Sequence, residues 1–147
     1  MITSATATID HFAAHLQGVA ALPHLGVIQA QGEDAANFLH NQLSNDVLLL
    51  PVGQSRLAAF CSAKGRMQAS FVFFKRSPEE LLLVCSRDLL ATTLKRLSMF
   101  VLRAKAQLSD ATSEFSLIGL MGDAVAAQGA DGRQTWSTTN NGLASVV

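Results

Sequence analysis

Acidic and basic side chains are scarce in this sequence. Only 15% of its 147 residues are charged, whereas an average globular domain has about 25%. A surface with so little charge predicts that part of it is covered by another domain, by a second copy of the chain or by a ligand. The 49% of hydrophobic residues excludes a disordered chain and can supply the core of one domain.

Cysteines and long apolar runs are also few. Cys61 and Cys85 are too few for a disulfide framework, so a reducing cytoplasm is the predicted compartment. Both fall in predicted strands and are interpreted as small buried side chains, not as nucleophiles. The apolar runs at 71–74 and 81–84 are far shorter than the roughly 18 residues that a membrane span needs. No Lys or Arg precedes the first apolar stretch, which argues against a secretory signal, and no membrane partner is expected.

Metal and nucleotide motifs are missing as well. His11 and His15 lie four residues apart, but no third ligand stands at a useful spacing. They are interpreted as surface histidines, and no metal site is predicted. Neither GxxxxGK[ST] nor GxGxxG occurs, which counts against nucleotide enzymes built on those loops.

The few charges are unevenly distributed along the chain. Residues 1–55 carry a net −4, residues 56–105 a net +7 and residues 106–147 a net −3. The positive central segment favours an anionic ligand or a polyanion, and a face of scattered, solvated bases is the alternative. An RNA-binding module is therefore one possible function. RNA-binding sheets expose aromatic side chains, however, and Phe71, Phe73 and Phe74 are expected to lie in the core.

The hydrophobic pattern predicts the element order β-α-β-β-β-α-β-β, followed by a short helix. Three consecutive strands with short connections indicate an antiparallel meander, and helices inserted into such a run indicate an α+β layer fold. Strands are predicted at 25–30, 56–62, 67–75, 81–85, 104–109 and 115–120, and helices at about 33–43, 88–102 and 123–128. We expect a lead-in segment (1–21), one domain (22–128) and a tail toward an absent second half (129–147).

The turn predicted between the second and third strands is the strongest candidate for ligand chemistry. Gly65 permits a positive φ and the close approach of a ligand. Lys64 and Arg66 flank this glycine and can present two cations to a carboxylate or phosphate. An ordinary β-turn whose flanking charged side chains are only solvated is the alternative. Ser62 and Lys64 stand two apart, but a Ser–Lys catalytic pair is not favoured by the sequence.

Three blocks in fixed order carry a family resemblance. They are LGVIQAQGEDAANFLHNQLSNDV (25–47), LAAFCSAKGRM (57–67) and LKRLSMFVLRAKAQLSD (94–110). Together they resemble the YgfZ-type folate-binding proteins, which are relatives of the glycine-cleavage T-protein, an aminomethyltransferase. The resemblance implies a ferredoxin-like antiparallel sheet with helices on one face.

The resemblance also implies a function. It implies a tetrahydrofolate-binding protein that supports iron–sulfur cluster assembly or repair, with tRNA modification as an associated process. The implied partners are the folate and iron–sulfur client or assembly proteins, and self-association through exposed apolar surface is a further expectation. The predicted folate-binding residues are Asn45 and Asp46, from the resemblance, and Lys64, Gly65, Arg66 and Arg87, from their charge and position in the chain. Asn45 and Asp46 contact polar pterin edges in this interpretation, and capping of the preceding helix is the alternative.

Two departures from the family limit these expectations. Family members are more than twice as long, and their Lys-Gly-Cys-x-x-Gly-Gln-Glu signature is absent here. T-proteins carry an acidic pair shortly after the turn, where this chain has Gln68 and Ala69. Neither side chain can hold the charge that a catalytic carboxylate supplies. We therefore expect no catalytic residue and an accessory role, with a folate-dependent aminomethyltransferase as the alternative.

Overall fold

The computed structural model describes residues 17–127, 136, 138–140 and 145–146. The predicted lead-in before residue 17, with His11 and His15, lies outside the described residues, as does most of the tail. The chain divides into a smaller unit formed by 1–22 and 118–133 and a larger unit formed by 23–117 and 134–147.

Within the described residues, short strands alternate with three α-helices. In chain order the elements are β1 (Gly18–Ala21), β2 (Leu25–Gln31), α1 (Ala35–His40), β3 (Ser55–Cys61), β4 (Met67–Ser77), β5 (Glu80–Ser86), α2 (Arg87–Ser98), β6 (Gln107–Asp110), a 3-10 turn (Thr112–Glu114), β7 (Ile118–Met121), α3 (Asp123–Ala127), β8 (Thr139–Asn140) and β9 (Ser145–Val146). None of the described helices is long and apolar enough to cross a membrane.

Five strands of the larger unit form one sheet in the order β3-β4-β5-β2-β6. Every neighbouring pair is antiparallel, and β3, β4 and β5 form the predicted meander. The predicted α+β fold class with a ferredoxin-like antiparallel sheet is confirmed. β2 is inserted between β5 and β6, so the helix that follows β5 carries the chain across β2 to the edge of the sheet.

The main core lies between this sheet and the two longer helices. Side chains alternate between the two faces of a strand, and one face of the sheet contributes the buried Ile28, Phe71 and Leu83. Leu39 of α1 and Leu97 of α2 pack into the same cluster and are fully buried. Phe73 is also fully buried and Phe74 is 4% exposed, so these aromatic side chains are core residues, as expected, and cannot stack on bases.

The opposite face of the sheet is only partly covered. Val27, Phe74, Leu82 and Ala111 form a second, smaller buried cluster. Leu57 lies on this same face of the sheet and is 54% exposed. The larger unit therefore carries uncovered apolar surface, in keeping with its low charge content.

Several element boundaries differ from the predicted ones. α1 covers only Ala35–His40 of the predicted 33–43, and β6 begins at Gln107 instead of residue 104. α2 was expected to run to residue 102 but ends at Ser98, because the chain must turn there to bring β6 beside β2. Leu102 has a φ of 44° within this turn, which ends the helical path although the apolar pattern continues to it. β7 begins at Ile118, three residues later than the strand predicted from residue 115.

The smaller unit contains a strand that the sequence did not reveal. β1 pairs antiparallel with β7, from Gly18 opposite Met121 to Ala21 opposite Ile118. The backbone N–H of Asp123, at the start of α3, donates to Gln17 Oε1 at 2.8 Å. The four residues of β1 have no alternating pattern, so only their pairing with a strand 97 or more positions away identifies them.

Gly32 is expected to be essential for the junction between β2 and β6. It has a φ of 125°, and a Cβ there would overlap with the carbonyl oxygen of Lys105. We expect Gly32→Ala to lower the free energy of unfolding by about 3 kcal/mol, from backbone strain plus the overlap. Urea unfolding followed by circular dichroism measures this change.

Gly65→Ala is the matched control for this prediction. Gly65 also has a positive φ, of 72°, but nothing lies within 4 Å of the position a Cβ would take. Its replacement should cost only about 1 kcal/mol, the strain of a left-handed Ala. Equal losses in the two variants would show that the contact with Lys105 is unimportant.

Candidate functional site

The predicted ligand turn forms the tip of the β3–β4 hairpin. The backbone N–H of Ser62 donates to Arg66 O at 2.8 Å, and the N–H of Gly65 donates to Ser62 O at 2.8 Å. Ser62 Oγ accepts from the N–H of Arg66 at 3.2 Å, so this hydroxyl supports the turn. Lys64 and Arg66 are exposed, and neither forms an ion pair within the described part of the chain. Two unneutralised cations therefore stand at the tip.

The segment after α1 completes the outer edge of β3. The N–H of Ser44 donates to Ala59 O at 2.9 Å, and Ser44 Oγ accepts from the N–H of Ala59 at 2.8 Å. Asn45 Nδ2 donates to Leu57 O at 2.8 Å, and its Oδ1 accepts from the N–H of Asp46 at 2.8 Å. The alternative role of Asn45, capping of the preceding helix, is excluded, because the C-cap of that helix is Asn41 and the Asn45 amide closes the edge of a strand instead.

Asp46 keeps part of its carboxylate available. Its Oδ1 accepts from the N–H of Leu49 at 2.8 Å and lies 3.5 Å from His40 Nδ1. Its Oδ2 has no hydrogen-bond partner among the described residues. Asp46 is half-buried, so a ligand N–H donor that reached this oxygen would meet a partly desolvated negative charge.

Lys75 contacts the loop that begins at Asp46 and was not predicted from the sequence. It lies near the end of β4 and is only 8% exposed, and its Nζ donates to Leu48 O at 3.1 Å. Burial lowers the pKa of Lys75 from its usual value, and the negative charge of Asp46 partly opposes this shift. A lysine in an apolar strand gives no signal of burial in the sequence, because lysines are almost always exposed.

Arg87 begins α2 at the end of β5. Its backbone N–H donates to His24 O at 2.9 Å, and its guanidinium donates to Pro23 O at 3.4 Å. The pKa of Asp110 lies below its usual value, chiefly because Thr112 donates hydrogen bonds to it and in smaller part because of the positive charge of Arg87. The Arg87 side chain is otherwise exposed.

The six predicted folate-binding residues form three separate groups. Asn45 meets β3 at Leu57, and the hairpin tip begins at Ser62. These points are five residues apart along the chain, which is about 17 Å at the usual rise of a strand. Arg87 lies on the other side of β4, at the end of β5. A single compact pocket does not contain all six, and their role in folate binding remains a prediction.

Along the strand direction, Gln68 on β4 lies between the hairpin tip and the level at which Asn45 meets β3. The β3–β4 register shifts at this point, since Phe60 pairs with Ala69 but Cys61 pairs with Met67, so Gln68 is the extra residue of a β-bulge. Bulges are frequent beside binding sites, where they redirect a side chain. Gln68 Oε1 is buried and has no hydrogen-bond partner among the described residues. Its neighbour Ala69 is 2% exposed and belongs to the main core.

Cys85 is not placed to act as a reactive thiol. Cys85 is 3% exposed, and burial, together with the negative charge of Asp110, raises the pKa of its thiol to about 11. The interpretation of Cys85 as a buried small side chain is confirmed, and Cys61 is half-buried at the end of β3. Within the described ranges, no three His, Cys, Asp or Glu side chains are placed to hold a metal ion.

The fold is that of an aminomethyltransferase domain. It is similar to the glycine cleavage system aminomethyltransferase T from Bartonella henselae, with a TM-score of 0.74 over 88% of this chain and 37% of that chain, at 20% identity. The sequence matches the GCVT N-terminal domain family over residues 8–128. The chain belongs to this family.

The relatives that this chain matches in sequence are considerably longer than the chain itself. An uncharacterized protein from Haemophilus influenzae is 33% identical over 97 residues, which is 66% of this chain and 34% of that protein. An aminomethyltransferase from Bacillus mycoides is 27% identical over 105 residues, which is 71% of this chain and 28% of the enzyme. The matched region thus spans about a third of the length of these relatives.

The two cysteines are expected to differ in reactivity. The thiolate is the reactive form, and a thiol pKa near 11 leaves Cys85 protonated at pH 8, with about 100-fold less thiolate than an ordinary thiol. A maleimide should therefore modify Cys61 first, and native Cys85 should react faster as the pH approaches 11. Mass spectrometry of modified peptides over a pH series measures both rates.

Two controls belong to this labelling experiment. Cys61→Ala isolates the reaction of Cys85, and labelling in denaturant gives the rate of an unprotected thiol. Rapid labelling of native Cys85 at pH 8 would contradict its assignment as a buried and unreactive side chain.

Proposed function

We propose that this domain binds a tetrahydrofolate and acts as an accessory folate-binding unit in iron–sulfur cluster assembly or repair in the cytoplasm. Membership in the GCVT N-terminal domain family supports the folate. The resemblance to YgfZ-type proteins supports the iron–sulfur role and its link to tRNA modification. The expected partners are iron–sulfur client or assembly proteins, with self-association through uncovered apolar side chains such as Leu57.

The observation that carries the accessory role is the state of Gln68. This residue and Ala69 stand where the resemblance to T-proteins places an acidic pair. Ala69 is packed into the core, and Gln68 presents a neutral amide oxygen without a partner. An amide can accept a hydrogen bond but cannot act as a base at neutral pH or balance a cationic intermediate. The position can therefore bind a ligand N–H group without supplying catalytic charge.

The proposed residues follow the order of groups along a folate. Asp46, with its unpartnered Oδ2, would accept from the N–H groups of the pterin edge. Gln68, at the bulge of β4 and nearer the hairpin tip, would accept from an N–H of the aminobenzoyl-glutamate portion. Lys64 and Arg66 at the hairpin tip would bind the glutamate carboxylates, with Gly65 allowing close approach.

Two further predicted residues have supporting roles in this arrangement. Asn45 fixes the position of Asp46, since its Oδ1 accepts the Asp46 N–H at 2.8 Å. Arg87, in its separate position at the start of α2, would bind an additional carboxylate of a polyglutamate tail.

A folate-dependent aminomethyltransferase is the second candidate function. The aminomethyltransferase from Bacillus mycoides supports it by sequence similarity. Gln68 argues against it, because the neutral side chain removes the charge that the transfer needs. A glycine-cleavage assay separates the two functions: turnover by the unaltered chain with the partner enzymes would overturn the accessory role.

The role of the hairpin tip can be tested by calorimetry with two ligands. We expect Lys64→Ala/Arg66→Ala to weaken tetrahydrofolate binding by about tenfold or more, the loss of two charge-assisted contacts at an exposed site. Binding of 6-methyltetrahydropterin, which lacks the glutamate, should not change. The effect should grow with polyglutamate length and decrease with added salt.

Lys95→Ala/Arg96→Ala is the matched control for the hairpin variant. It removes the same charge from exposed positions on α2 and should leave folate binding unchanged. Equal losses of affinity in the two double variants would show that net charge, and not the position of the hairpin tip, determines the effect. Absence of tetrahydrofolate binding by the unaltered chain would overturn the proposed function.

Gln68→Met tests the unpaired amide oxygen. We expect the substitution to weaken folate binding about fivefold to tenfold, the effect of one lost hydrogen bond. It should not lower the stability of the unliganded chain, because the oxygen it removes has no partner there. Calorimetry and thermal unfolding measure the two quantities. Loss of stability without loss of affinity would assign Gln68 a structural role only.

A further inference from the structure

Lys75 occupies a position where an apolar side chain would be expected. It follows the buried Phe73 and Phe74 on β4 and pairs with the fully buried Leu81 on β5. Placing an amino group in such a setting is costly unless polar partners compensate for the lost hydration. The compensation must come from the polar groups around Nζ, which belong to the loop after α1.

That loop, residues 46–50, is held both by hydrogen bonds and by burial of two of its side chains. Lys75 Nζ donates to Leu48 O at 3.1 Å, and the carboxylate of Asp46 accepts from the N–H of Leu49 at 2.8 Å. Val47 and Leu50 are buried in the main core. Because Asp46 carries the opposite charge, it also attracts the ammonium of Lys75.

In this loop, apolar side chains are exposed to solvent, whereas polar groups of Lys75 and Asp46 bind the backbone. Leu49 is 77% exposed and Leu48 is 45% exposed, so these side chains contribute little to the core. Between the buried Val47 and Leu50, the backbone of the two exposed leucines is held by the hydrogen bonds of Lys75 and Asp46. Without the amino group, Leu48 O would lose its partner and the Asp46 carboxylate would lose its neighbouring positive charge.

We infer that Lys75 is a positioning residue for ligand binding, which holds the loop 46–50 so that Asp46 Oδ2 stays directed toward the pterin. This inference rests on the proposed folate-binding function and adds to it a residue that does not itself contact the ligand. Lys75 acts through Asp46, with Leu48 O as the anchor.

A double-mutant cycle in the full chain tests this coupling. Lys75→Met keeps the length of the side chain without its donor, and Asp46→Asn removes the charge of the carboxylate. Each should weaken tetrahydrofolate binding by about tenfold, the loss of a hydrogen bond involving a charged group. If Lys75 acts through Asp46, the double variant should bind no more weakly than Asp46→Asn alone. Calorimetry gives the dissociation constants.

Hydrogen exchange provides a readout that needs no ligand. The N–H of Leu49 donates to Asp46 Oδ1, so Lys75→Met should accelerate its exchange about tenfold while amides of β4 and β5 stay protected. Lys75→Arg, which keeps a donor and a charge, should restore part of the protection. Lys95→Met, at an exposed position on α2, is the control and should change neither exchange nor affinity.

Each outcome of these measurements decides a separate point. Additive losses in the double variant, or unchanged exchange at Leu49 in Lys75→Met, would overturn the inference. Failure of the unaltered chain to bind tetrahydrofolate would overturn the proposed function, whereas accelerated exchange would still establish the hold on the loop. If the methionine variant does not fold, Lys75→Gln, with a shorter donor, is measured in its place.

Discussion

The outer edge of β3 imposes the constraint on which the candidate site depends. β3 pairs with β4 on one side only, and an unpaired row of backbone groups invites pairing with another chain. Here Ser44 and Asn45 pair with that edge near its middle, and Trp136 O accepts from the N–H of Ser55 at 2.7 Å at its start. The chain after α1 is thereby fixed along β3, which determines where Asp46 and the following loop lie.

β4 carries the two polar side chains that the apolar core does not explain. Gln68 is at the bulge near its start and Lys75 is close to its end, about 23 Å apart at the usual strand rise. One presents an acceptor without a partner and the other an amine whose pKa is lowered by burial. Polar groups in such positions lower stability unless they are paired. Lys75 is paired with Leu48 O, and the proposed folate would supply the missing partner of Gln68.

Several bases of the positive central segment are not available to bind an anion, because they are buried or paired with acidic side chains. Lys75 is buried, Arg76 pairs with Glu80 at 3.2 Å and Lys105 pairs with Glu33. The remaining exposed bases include those of the hairpin tip and of α2. This division suits a ligand with a few carboxylates better than a long polyanion, since a long phosphate chain requires a continuous basic surface. The buried Phe71 removes the aromatic stacking that RNA recognition would need.

The sequence by itself determined the strand order of the meander, the two main helices and the turn at Gly65, because these depend on local periodicity and on backbone preferences. It also determined that Gln68 and Ala69 cannot act as catalytic acids. Only the tertiary structure decided that Asn45 closes a strand edge, that Lys75 is buried against the loop that begins at Asp46 and that Gln68 occupies a bulge. Each of these depends on which segments meet across long stretches of chain. A residue's own type and its immediate neighbours do not specify these long-range contacts, because they depend on how the whole sheet packs.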